Sequence, residues 1–326
     1  MHVTERRNIQ NEFGEILNKV KRKKWSCVEY GCDNPAINSH LLQRNGILNY
    51  VAEDGKVVMI KPSSIFGLKN NISPFEFEKI GIKEALSYDV FCCHHDVNLF
   101  KEIEDSPFEA NNYRHCALFY YRTISAETRL KEIEIEKYEL MLNSKVFNEF
   151  VPIPYMLHFH EQKMIMTYSR MEIETYRSWI YEDLHKNTKN FIFNSFEIPV
   201  KGIFSSSISS LFLTEKELSS PETPQYLFVQ IIPKEKNSLI IFGYHKQHKH
   251  IHYESYIERW RSVSKENVGY MLTGLLIQSN QWGMSPSLHE KLQKNNIEKY
   301  KSLFYDDCLS HDQYPNETFN LFEGIF

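Results

Sequence analysis

The chain has 326 residues, with 38 Lys and Arg against 42 Asp and Glu, and 42% of its residues are hydrophobic. That length suits two or three compact units with ample core. A net charge of −4 advertises no general affinity for nucleic acid, although local patches decide that question, and no run approaches the roughly 20 apolar residues of a membrane span.

The opening MHVTERRNIQNEF lacks the apolar core of a secretory signal, so the cytoplasm is expected and no membrane partner. Residues 1–24 read as a helix with Ile9, Phe13, Ile16, Leu17 and Val20 at helical spacing. It ends in a basic run, Lys19, Lys21, Arg22, Lys23 and Lys24, which is either a solvated helix end or a phosphate contact. CVEYGCDNP follows as a turn, and Ala36–Leu42 and Asn49–Ile60 as extended segments, the second broken by a hairpin turn at Glu53-Asp54-Gly55. Residues 61–87 look like an insertion with a short helix over Phe77–Leu86. Beyond FCCHHD, Leu99, Phe100 and Ile103 continue a helix that Asp105-Ser106-Pro107 should stop. Residues 112–147 predict one or two helices, on which Arg122, Arg129, Lys131 and Lys137 make i, i+4 pairs with the helix's many glutamates, and weaker helical character runs to about 188. FIFNSFEIPV, SSISSLFLT, YLFVQIIP and SLIIFGYH then read as strands, and 254–301 as helix.

The six cysteines are uneven, two pairs falling at Cys27/Cys32 and Cys92/Cys93. A disulfide framework suits small secreted domains; paired cysteines in a cytosolic chain point to metal. A turn with two thiolates, a hairpin, and a helix whose first turn supplies two more ligands is the layout of a treble-clef zinc site, and Cys₃His is a common structural set. Gly31 permits the tight turn. Spacing favours Cys92 with His95 over Cys93 and His94, with Cys93 a small core residue. Next to this site, His40 lies on the first expected strand, and Asp96 shares a helix face with Phe100 and Ile103, so the two should face each other across a groove. The plainer readings are a zinc-bound or hydrogen-bonded structural histidine and a helix-capping aspartate.

This layout resembles the HNH, or ββα-metal, nuclease family, over about residues 25–105. The wording around SHLL and FCCHHDVNLFKEIE is also similar to uncharacterised bacterial HNH-like proteins, some associated with phage defence. The resemblance implies His40 as the general base that activates water, and Asp96 as ligand of a catalytic Mg²⁺ or Mn²⁺ beside the structural Zn²⁺. The pattern departs at Ser39, where many members carry a metal-binding aspartate, and a hydroxyl holds a hard cation poorly. Asn98, Glu102 or Glu104 would have to compensate.

The expected architecture is therefore α+β: an N-terminal helix (1–24), a treble-clef or ββα-metal zinc module (25–106), a helical region (107–188), and an α+β C-terminal domain with a mostly antiparallel sheet (189–326). The expected function is a metal-dependent endonuclease acting on DNA, or alternatively RNA, with a protein partner or activator through the C-terminal domain. The alternative is an inactive zinc-stabilised binding or sensor protein. His245, His248, His250 and His252 read as a surface strand, and Ser285 or Ser287 as the cap of a helix near Leu288. Neither a Walker nor a Rossmann glycine pattern appears.

Overall fold

The computed structural model describes residues 3–43, 46–62, 74–106, 108–212, 225–279, 281–310 and 314–326. Part of the expected insertion (63–73), the end of SSISSLFLT and the helix-stopping Pro107 lie outside them. The chain is mixed α+β and forms two compact units: Met1–Ser39, Tyr88–Phe100 and Ile124–Trp179 make the first, and His40–Ser87, Lys101–Thr123 and Ile180–Phe326 the second. Residues of the expected zinc module thus enter both.

Helix α1 (Val3–Arg22) buries Ile9, Ile16 and Val20 in the first unit, whereas Leu17 stays exposed. After the knuckle come β1 (Asn38–His40), β2 (Lys56–Pro62), β3 (Phe75–Gly81) and β4 (Ser87–Asp89), then helix α2 (Cys93–Asp105). β1 pairs with β4, not with the 49–60 segment. The expected tight turn is present: Asp54 and Gly55 both have positive φ, and Glu53 and Lys56 exchange backbone hydrogen bonds of 3.0 and 2.9 Å, the pattern of a type I′ turn. It opens β2 but closes no hairpin with the residues before it, since Leu48–Tyr50 is a 3₁₀ turn.

The expected helix at Phe77–Leu86 is instead β3 followed by turns. The reason is legible in FEFEKI, an alternation of period two that puts Phe75 and Phe77 against the core and Glu76 and Glu78 on the other face.

The chain continues through helices α3 (Tyr113–Leu142), α4 (Lys145–Phe150, capped by Ser144) and α5 (Ile153–Lys186). Strands β5 (Phe191–Ile198), β6 (Ile203–Ser209), β7 (Leu227–Pro233) and β8 (Ser238–His245) follow. Helices α6 (Tyr253–Arg261) and α7 (Lys265–Ile277), strand β9 (Trp282–Met284), and helices α8 (Pro286–Lys291) and α9 (Lys294–Leu309) complete the second unit. Its seven-stranded antiparallel sheet runs β3-β2-β9-β6-β7-β8-β5. β7 and β8 are buried at every position, because both faces are covered. Tyr120 of α3 packs on Phe191 and Phe228, and Phe242 meets Tyr256 and Trp260 of α6. β9 breaks the helix expected over 254–301. It slips between β2 and β6 at Gly283, where a Cβ would come within 2.7 Å of the Val58 carbonyl and 2.5 Å of the Phe204 ring.

Two smaller expectations resolve here. Ser285 caps α8, accepting from Leu288 N at 3.2 Å. The histidine run is not a strand beyond His245: the chain turns through His248 and His250 into α6, and His250 is buried. Burial pushes the His245 imidazole down to about 4.

Candidate metal centre

Cys27, Cys32, Cys92 and His95 bring their ligand atoms within 4.8 Å of one another. Local backbone chemistry explains the gathering. Cys27 N donates to Asn34 O at 2.8 Å and Cys32 N to Glu29 O at 3.1 Å, closing a knuckle that turns at Gly31 with φ +70°. Val28 N donates to Val90 O at 2.9 Å and Ile37 N to Phe91 O at 2.7 Å, which lays the second ligand segment along the first. Cys92 immediately precedes α2 and His95 lies in its first turn, so the i, i+3 pair shares one helix face.

The spacing tests the fit of an ion. A tetrahedral Zn²⁺ with bonds of ~2.3 Å to sulfur and ~2.0–2.1 Å to nitrogen has ligand–ligand edges of about 3.5–3.8 Å. Cys27 Sγ and Cys92 Sγ each lie 3.4 Å from His95 Nδ1, and Cys32 Sγ lies 3.9 Å from Cys92 Sγ. The set could therefore hold a metal ion such as zinc. Burial pushes the Cys27 thiol up to about 11. Burial acts the same way on Cys92, but the backbone N–H of His95 and the neighbouring thiols outweigh it and lower that thiol. A metal binding here must displace protons.

The neighbouring candidates are placed differently. Cys93 is exposed, not a core residue, because it sits on the far side of the first helical turn. His94 is exposed, with Asn98 Nδ2 3.1 Å from its ring and donating to its carbonyl at 2.9 Å. His40, at the end of β1, is not one of the four ligands, and its Nε2 lies 3.2 Å from Ile82 O. It belongs to the second unit and Asp96 to the first. Asp96 is not the helix cap: its own amide donates to Cys92 O at 2.9 Å, one turn inside α2. Ser39 is buried, donating to Ile37 O and accepting from Phe91 N, both at 3.3 Å. Glu102 pairs with Arg114 at 2.8 Å and Glu104 with Arg122 at 2.6 Å, so both carboxylates serve ion pairs.

Two arginines brace the knuckle, a role that sequence reasoning missed for both. Arg129 of α3 lies over the Trp25 ring at 4.7 Å, donates to the carbonyls of Ser26 and Asp89, and pairs with Glu132 at 2.5 Å. Arg177 of α5 lies over the Tyr30 ring at 4.2 Å, donates to Val28 O at 2.9 Å, and grips Glu174 through two nitrogens at 2.8 and 2.9 Å. Planar guanidinium, stacked and forked, suits this double task where lysine would not. The two carbonyls they take at the knuckle flank Cys27. The aromatic residues on either side of Cys27, Trp25 and Tyr30, were the available signal, but the arginines lie more than 100 residues away in sequence.

Between the braces lies a cavity of about 610 Å³ reached by Lys23 and Lys24. Lys23 pairs with Glu136 at 2.6 Å and sits over Trp25 at 4.4 Å. Lys19, Lys21, Arg22 and Lys24 are exposed. Elsewhere on α3, Lys131 pairs with Glu127 at the expected i, i+4 spacing, whereas Lys137 pairs with Glu134 and Arg129 with Glu132 at i, i+3, and Arg122 reaches Glu104 of α2 rather than a glutamate of its own helix. No helix among the described residues is long and apolar enough to cross a membrane. Compared with known proteins, the chain matches no family model, no curated protein and no solved structure.

Proposed function

We propose that the protein is a zinc-stabilised nuclease of the ββα-metal kind, hydrolysing phosphodiester bonds in DNA, with RNA as the alternative substrate. The observation that carries this reading is the order of elements along the chain. The knuckle leads into β1, which ends at His40. β4 pairs beside β1, and α2 then begins with the second ligand pair and Asp96 next to His95. In this reading the Cys₃His site is a treble clef and its Zn²⁺ is structural, worth on the order of 10 kcal/mol of folding free energy.

His40 is the proposed general base. A neutral ring donating Nε2–H to Ile82 O carries its lone pair on Nδ1, the state needed to take a proton from water. Asp96 is the proposed oxygen ligand for a catalytic Mg²⁺ or Mn²⁺, which when bound supplies charge neutralisation at the leaving oxygen. The exposed cations at the end of α1 would position phosphates without reading sequence. A role in phage defence rests on the resemblance alone.

One observation favours a second reading, a binding or sensor protein without hydrolysis that recognises nucleic acid or a protein. Ser39 replaces the expected carboxylate, and its hydroxyl is engaged with Ile37 O and Phe91 N.

The test is cleavage of plasmid and single-stranded nucleic acid with added Mg²⁺ or Mn²⁺, using the native chain and His40→Ala, with zinc measured in both. Cleavage by the native chain should fall about 10²–10⁴-fold in the variant while zinc stays bound. No cleavage by either, at full zinc, favours the second reading. Zinc loss in the variant would place His40 in the structural site and remove the base.

A further inference from the structure

Helix α5 carries apolar side chains on two opposite faces. Phe159, Met166 and Ile173, seven apart, face their own unit: Phe159 meets Tyr138 and Phe147, and Ile173 is buried. On the far side Leu157, Met164, Tyr168 and Met171 are 63, 56, 60 and 59% exposed. Seven of the fifteen large apolar side chains exposed among the described residues lie on this one helix. A helix apolar on both sides needs a partner on each.

The outer face has the geometry of a seam. Leu157, Glu161, Met164, Tyr168, Met171 and Thr175 alternate steps of four and three, the heptad spacing of paired helices. We propose that this face is a self-association surface through which two copies of the chain pair their α5 helices antiparallel. The register closes on itself. Leu157 of one copy lies opposite Thr175 of the other, Met164 opposite Tyr168, Glu161 opposite Met171, and Ile165 beside Ile165 at the two-fold axis.

Charge sets the direction. The antiparallel pair brings His158 of one copy to Glu172 of the other. A parallel pair would set Glu161 against Glu161 in the seam, where like charges repel. Glu161 is the single charged seam residue, held 3.8 Å from His158 within its own helix. A polar seam residue fixes register at a cost in stability. The seam is about 27 Å long and one helix wide, smaller than a standard interface, so dissociation in the micromolar range is expected.

The test is sedimentation velocity of the full chain, metal content measured, across the micromolar range. The expected result is a concentration-dependent shift from monomer to dimer. Met164→Glu with Tyr168→Glu should leave a monomer at every concentration with unchanged metal content and circular dichroism. Glu161→Leu should tighten association roughly tenfold or more. Ile165→Cys, in a background with Cys93→Ser and Cys308→Ser, should cross-link to itself with a short bis-maleimide, whereas Tyr155→Cys should not. A chain that stays monomeric even as Glu161→Leu overturns the proposal and leaves this face to some other partner. So does a dimer that the double glutamate variant leaves intact.

Discussion

The two compact units are held by different chemistry. The second is organised around one continuous apolar cluster, from Val58 and Ile60 on β2 through Ile231, Ile240 and Phe242 to Trp260, Leu272 and Tyr300. The first gathers its key loop with four metal-type ligands and two buried arginines, and its helices are laced by pairs such as Lys23–Glu136 and Arg170–Glu132. Burial is non-directional, so it tolerates imprecision and scales with area. Ligand bonds and forked hydrogen bonds fix atoms at set distances, which a small loop such as 25–37 cannot achieve by burial alone. The difference assigns the first unit to precise placement of a few side chains, and the second to bulk stability.

The largest way to break that contrast is to strip any metal that the Cys27, Cys32, Cys92 and His95 set holds. Chelation, or Cys27→Ser, should cost the knuckle on the order of 10 kcal/mol. Hydrogen exchange reads this locally. The Cys27 and Ile37 amides, bonded to Asn34 O and Phe91 O, should lose protection, while amides of β7 and β8 keep theirs. Unchanged protection at Cys27 after complete chelation would sink the metal-centre reading.

The converse experiment strikes the apolar unit. Trp282 is fully buried, its indole N–H donates to Tyr300 Oη at 3.1 Å, and that hydroxyl donates on to Leu276 O at 2.8 Å. Trp282→Ala should destabilise by about 3–5 kcal/mol, read as a lowered denaturation midpoint with bound metal per chain unchanged. Metal loss in the still-folded variant would show that the two kinds of support are not separable.

The sequence made the two regions unequally legible. Cys27, Cys32, Cys92 and His95 could be chosen because ligand chemistry acts over short spacings: x4 in a glycine turn, and i, i+3 on a helix. The strands 191–198 and 238–245 were legible from their composition. The neighbour of β1 was not, since β4 is three residues long. Nor was the destination of β2, whose partner Met284 lies 226 positions beyond Val58. Val57-Val58-Met59-Ile60 is a continuous apolar run, the mark of a strand covered on both faces, and with the FEFEKI alternation it held the clue that this segment belongs to a large sheet. The fixed spacings carry no comparable signal for Arg177, because nothing local ties it to Tyr30.

The smallest prediction sharpens the comparison from inside the apolar unit, where an ionised group should be a burden. Burial raises the Asp307 carboxyl from its ordinary 3.8 to about 6, against a lowering contribution from Gln278, whose Nε2 sits 3.4 Å from Oδ1. Because the folded pKa exceeds the unfolded one, the folded state binds more protons between those two values. Stability therefore falls as pH rises through that window, and the penalty is complete above it. Asp307→Asn removes the titrating charge and keeps an acceptor for Gln278. It should stabilise by on the order of 1–2 kcal/mol at about pH 7–8 and by almost nothing near pH 4, measured as thermal midpoints at the two pH values. An equal gain at both would mean that packing, not ionisation, explains the effect. A loss at neutral pH would mean that the carboxylate has a compensating partner, and burial would no longer be the rule that separates this unit from the one carrying the candidate metal centre.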